Sequence, residues 1–168
     1  MTVVNRAWLF LALTAAVFLA APAAAQAQSD AAPVNWLVNC TNTGQDGALA
    51  CQMTQTVVVR ETGQRLLSIM IRKGETPTTP AMMLTLPLGL YLPAGVKMSI
   101  DEAAAQDLVV QTCEASGCFA GMAITEDLLD AMRRGTKLDF VLQDLQRRSI
   151  TVSSSLSGFT SAFEQINE

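Results

Sequence analysis

The chain contains no histidine. That absence removes Ser-His-Asp and Cys-His nucleophile activation, histidine-ligated zinc, copper or haem iron, and the usual general base near neutral pH. Gly-rich phosphate loops, the G-x-S-x-G elbow and the calcium-loop spacing are also missing. Carboxylate chemistry survives this filter only at Asp101-Glu102 and at Glu126-Asp127 with Asp130. The first pair reads as a turn, and the second sits where acids belong at a helix start. No catalytic residue and no cofactor site is expected.

Charge of one sign is scarce too. Lys and Arg number 11 against 15 Asp and Glu, for a net charge of −4, and no like-charge block exceeds two residues. No footprint for nucleic acid or anionic lipid follows from that pattern. Aromatic residues make up only 5% of the chain, which argues against an outer-membrane barrel with its aromatic girdles.

Long apolar runs are missing as well, except from Trp8 to Ala21. Arg6 precedes this run, and Ala23-Ala24-Ala25 and Ala25-Gln26-Ala27 follow it as small-residue cleavage sites. It is shorter than the roughly 20 residues a membrane span needs, so residues 1–27 are expected to be a cleaved signal peptide. Residues 28–33 then form a short linker and 34–168 a single domain. No transmembrane segment is expected after cleavage.

Against these absences stand four cysteines, Cys40, Cys51, Cys113 and Cys118. An exported chain meets an oxidising environment in which paired thiols persist. Four cysteines permit three pairings. Hairpins can bring Cys40 to Cys51 and Cys113 to Cys118, so two local disulfides are expected, although chain entropy alone favours longer loops. A redox role for CEASGCFAG fits poorly: four residues separate its cysteines where thioredoxin-like sites use two, and Glu114 raises a neighbouring thiol's pKa. The ten residues between Cys40 and Cys51 suit a zinc site equally badly, and no metal site is expected.

Short stretches alternate apolar and polar residues at strand period. They are Val34 to Thr41, Met53 to Arg60, RLLSIMIRK, VKMSI (96–100), DLVVQTC, LDFVL and SITVS. GETPTTPAMM, with two prolines and no periodicity, reads as a loop. TEDLLDAMRRG reads as a helix capped by Thr125, with acids first, arginines last and Gly135 as the stop. Ser157 is expected to cap a second short helix with Phe159, Phe163 and Ile166 on one face. The fold class is therefore mainly β: a compact antiparallel β-sandwich or flattened barrel with two short helices, stapled by two local disulfides. Most methionines fall at core periodicity, while Met82-Met83 beside the proline loop is the one pair expected to be exposed.

The order Trp36, Cys40, Cys51 with QMTQ, then LPLGLYLPAGVKMSID, CEASGCFAG and SLSGFTSAF, resembles the invasion-associated locus B family of exported bacterial proteins. The resemblance spans Trp36 to about Ile166. It implies an envelope or secreted protein, found mainly in alphaproteobacteria and linked in some pathogens to host-cell entry, with no catalytic residue set. LPLGLYLPAG then reads as strand, turn and strand, with Tyr91 the best contact candidate. Gly117 is expected to permit a hairpin tip and Gly158 close packing before the last helix. A non-enzymatic interaction module for an unknown protein or envelope component is the expected function, and a periplasmic small-ligand or metal-binding protein using Tyr91 or Met82-Met83 the alternative. The expected location is outside the cytoplasm, with periplasmic, outer-membrane-associated and secreted states left open.

Overall fold

The computed structural model describes residues 36–42, 49–73 and 79–167. Alternation builds its strands. In β3 (Arg65–Arg72) Leu67, Ile69 and Ile71 are fully buried while the residues between them turn to the other face. The same period places Met53 and Gln55 of β2 (Leu49–Val58) inward, and Leu138, Phe140 and Leu142 of β9 (Lys137–Gln143). Apolar faces of this kind are stable only when a second layer covers them.

Two antiparallel sheets supply the layers. The larger has six strands in the order β1 (Leu37–Asn42), β2, β3, β4 (Ala81–Leu86), β8 (Gly117–Ala123), β7 (Val110–Glu114). The smaller has four, in the order β10 (Ser149–Ser155), β9, β5 (Val96–Ile100), β6 (Gln106–Leu108). Both enclose one core, and neither closes on itself, so the sandwich holds and the flattened barrel does not. Register defines two ends of the larger sheet. The row Gln52, Arg72, Ala81, Ala123 lies toward helix α1 (Glu126–Arg134), and Leu86 with Cys118 lies toward the opposite, loop end.

The α1 helix starts as expected, with the Thr125 hydroxyl accepting from the Leu128 N–H, and the Gly135 N–H closes it on the Ala131 carbonyl. The terminal helix α2 (Phe159–Gln165) differs at its start. Its N-cap is Gly158 in the left-handed region at φ 79°, not Ser157, whose N–H instead binds the Ser155 hydroxyl. No atom lies within 4 Å of where a Gly158 side chain would begin, so backbone conformation and not close packing explains the glycine. Phe159, Phe163 and Ile166 are buried as expected, and Trp36 meets Phe159 edge to face at 5.5 Å.

Three strand assignments need correction. The proline loop ends before Ala81: β4 follows, with Met82, Leu84 and Leu86 inward and Ala81, Met83 and Thr85 outward. Both of its faces are largely apolar, which hid the period of two. β8 was absent from the expected strands because CFAGMA is rich in small residues, yet it lies inside the larger sheet between β4 and β7. DLVVQTC is two strands, with Leu108 buried in the smaller sheet, Val109 75% exposed at the crossing, and Val110 opening β7 in the larger sheet. An unbroken apolar run gives no sign of such a crossing.

LPLGLYLPAG is likewise not strand, turn and strand. Leu90 makes an isolated bridge to Asp144, the Tyr91 N–H donates to the Gln143 carbonyl at 2.8 Å, and Leu92–Ala94 form one 3-10 turn. The expected signal peptide and linker, residues 1–33, lie outside the described residues.

Candidate functional site

The four cysteines form two bridges, Cys40 with Cys51 and Cys113 with Cys118, and no cysteine is free. Each bridge joins residues directly opposite in an antiparallel pair, β1 with β2 and β7 with β8. Because β1 and β7 are the two outer strands of the larger sheet, both of its edges are covalently tied to their inner neighbours. Cys51 lies at the helical end and Cys118 at the loop end, so the staples occupy diagonal corners. Cys118 is buried, whereas Cys40 and Cys113 are exposed.

A polar tie holds the two sheets together. Gln55, buried on the inner face of β2, receives the Ser154 hydroxyl on Oε1 and donates from Nε2 to the Ser155 carbonyl at 3.0 Å. Both side chains are almost fully inaccessible, and each satisfies the other, as buried polar groups require. One Gln in an alternating strand and one Ser in a serine run carry no sequence signal for such a pairing.

The remaining candidates are scattered. Met82 is buried in the core, and only Met83 faces outward, half-buried opposite Met70. The expected exposed pair therefore does not exist as a pair, because adjacent strand residues point to opposite faces. Beside Met83, Gly121 leaves a shallow groove of about 260 Å³ with Met70, Arg72 and Gln111 on its walls. A second cleft of about 280 Å³ lies between β5 and α1, lined by Met98, Ile100, Ala103 and Leu128 with Asp127 at the rim. Tyr91 is half-buried, with the Arg147 guanidinium 4.8 Å above its ring centre.

The carboxylates are engaged structurally. Asp101, at φ 50°, accepts from the Thr136 hydroxyl and from the Thr136 and Lys137 N–H groups, the latter two at 3.2 and 3.1 Å. The Thr136 hydrogen bonds hold its carboxyl below the usual carboxylate range. At Asp139 burial pushes upward but is outweighed by the Lys137 ammonium at 2.8 Å and the Ser153 hydroxyl, so its pKa is also lowered. The Arg148 N–H and guanidinium do the same for Asp144. Glu126 and Asp127 sit in the first turn of α1, where the helix dipole favours them, and Asp130 pairs with Arg133. Among the described residues no three Cys, Asp or Glu side chains gather as a metal site.

Two open antiparallel sheets, an inter-sheet polar tie and covalently closed edges define a disulfide-stapled β-sandwich, the construction favoured where thiols are kept oxidised. The chain belongs to the invasion associated locus B (IalB) protein family, whose model matches residues 36–167. Invasion protein B homologs from two Brucella abortus strains, 2308 and biovar 1 strain 9-941, are each 29% identical over 133 residues, 79% of this chain and 75% of theirs. The crystal structure of invasion associated protein B from Bartonella henselae has the same fold, with a TM-score of 0.69 and 21% identity over 78% of this chain and 89% of that one.

Proposed function

We propose that this chain is exported and serves in the cell envelope as a non-enzymatic interaction module. The observation that carries this reading is the pairing of all four cysteines at both edges of one sheet, because such bridges persist outside the reducing cytosol. An amino-terminal leader, residues 1–27, supplies the route out. The Brucella and Bartonella relatives carry the invasion name, and by that likeness the module contributes, in pathogenic bacteria, to contact with host cells.

The non-enzymatic part rests on chemistry. The chain has no histidine, and Asp101, Asp139 and Asp144 already hold hydrogen-bond or charged partners. Crosslinking in intact cells followed by pull-down is the test: it should capture a defined envelope partner, in amounts that follow folded protein. Recovery from the cytosol with reduced thiols contradicts export, and turnover of an envelope substrate that disappears in a carboxylate variant contradicts the non-enzymatic reading.

A further inference from the structure

The eight large apolar side chains exposed among the described residues, Leu37 and Leu49 included, are spread over both ends of the sandwich and mark no single face. Its sheet edges differ more sharply. An open edge presents unpaired backbone N–H and C=O groups, and proteins guard against stray pairing with short strands, charges, bulges or covers. The β6 edge has three residues and a charged pair, Asp107 with Lys97 at 2.6 Å. The β7 edge is broken by a register shift between Val110 and Thr112 and ends on Glu114. At β10 the Gln55 amide reaches over from the larger sheet to take the Ser155 carbonyl.

The β1 edge has none of these guards. Its six residues, LVNCTN, carry no charge and no proline, pair with β2 in unbroken register, and are exposed except for the half-buried Val38. Cys40 and Cys51 stand opposite each other with Cα atoms 4.0 Å apart. Such close spacing belongs to the antiparallel pairs that exchange no backbone hydrogen bonds, about 4.5 Å against about 5.5 Å for those that do. The N–H and C=O of Cys40 therefore point away from β2, and alternation turns those of Val38 the same way, toward a side where no strand lies among the described residues. Both residues are thus aligned for an incoming strand, and the Cys40 to Cys51 bridge ties them to the sheet.

A second copy of β1 fits this edge. In a two-fold antiparallel pairing centred on Asn39, Val38 of each copy meets Cys40 of the other, so outward-facing groups meet only outward-facing groups and each pair exchanges two hydrogen bonds. Leu37, 68% exposed, gains Thr41 of the second copy as its opposite neighbour. A chain of net charge −4 repels its own copies over most of its surface, but this strand brings no charge to the contact. We propose that the chain self-associates edge to edge through β1, making one continuous sheet from the six-stranded sheets of two copies. One pair of short strands buries less than the roughly 800 Å² per partner of a standard interface, so the dimer is weak and forms as local concentration rises. Self-association goes beyond the envelope-module reading and needs no envelope partner.

Hydrogen exchange on the disulfide-bonded protein tests the proposal at the residues concerned. The Val38 and Cys40 amides should exchange freely in dilute solution and slow as concentration rises, in step with the dimer measured by sedimentation. The Asn39 and Thr41 amides face β2 and should be protected throughout. Asn39 sits on the two-fold axis, so Asn39→Lys and Asn39→Glu each set like charges opposite each other and should weaken association about fivefold. An equimolar mixture of the two variants should restore it, which misfolding of either variant could not produce. A chain that stays monomeric at high concentration overturns the proposal, as does a dimer indifferent to charge at position 39. Val38 and Cys40 amides protected equally at every concentration overturn it too, because another segment of the same chain would then cover the edge.

Discussion

Gln55 and Ser154, 99 residues apart in sequence, hydrogen-bond to each other inside the core and connect the inner face of the larger sheet to the edge strand of the smaller. Removing one member takes from the other its side-chain partner in the core. Ser154→Ala should lower stability by about 1–3 kcal/mol and Gln55→Ala by at least as much, because a buried polar group left alone keeps its desolvation cost. Urea unfolding of both single variants and the double variant measures this, and the double should cost less than the sum. Strictly additive losses would show that the two residues act separately.

Gly117 should tolerate no side chain. Its φ is +143°, and a Cβ there would lie 2.4 Å from the Leu86 carbonyl oxygen. Gly117→Ala should therefore destabilise by roughly 1–3 kcal/mol through forced backbone movement beside the Cys113 bridge. A melting temperature equal to that of the parent protein would contradict the close approach.

The two staples should act on stability and leave chemistry untouched. Replacing Cys113 and Cys118 together with Ala should cost roughly 2–3 kcal/mol, and the same change at Cys40 and Cys51 a similar amount, in the chain-entropy account of short loops. Any envelope function should fall only as far as folded protein falls. An inactive double variant with parental melting temperature would mean that the bridge reacts.

Asp101 should shape the acid limb of the stability curve. Its pKa is lowered by the hydrogen bonds from Thr136, so its contribution is complete above the unfolded carboxylate value, about 3.9, and is lost as pH falls through the lower folded value. Asp101→Asn should flatten the loss of stability below about pH 4. Equal acid limbs in variant and parent would show that Asp101 gains nothing from its ionised form.

The sequence carried the layers of this fold more clearly than their connections. Alternating Leu67, Ile69 and Ile71, or Leu138, Phe140 and Leu142, announces a half-buried strand because one face is plainly apolar. Ala81 to Leu86 and Gly117 to Ala123 escaped because apolar or small residues stand on both of their faces. The switch of sheet at Val109 is set by tertiary packing, which a continuous Leu-Val-Val run does not report. Local pairing brings Cys40 to Cys51 and Cys113 to Cys118, and hairpin spacing makes that legible. The Gln55 tie and the Leu90 to Asp144 bridge depend on segments far apart in sequence, and no local pattern encodes them.

Export and oxidative stapling are the centre of this account, and intact mass after alkylation without reduction tests both at once. Protein recovered from the envelope fraction should begin at Gln28, take up no alkylating reagent, and yield on peptide mapping only the Cys40 to Cys51 and Cys113 to Cys118 linkages. A full-length chain beginning at Met1 in the cytosol, with alkylated cysteines, would contradict it.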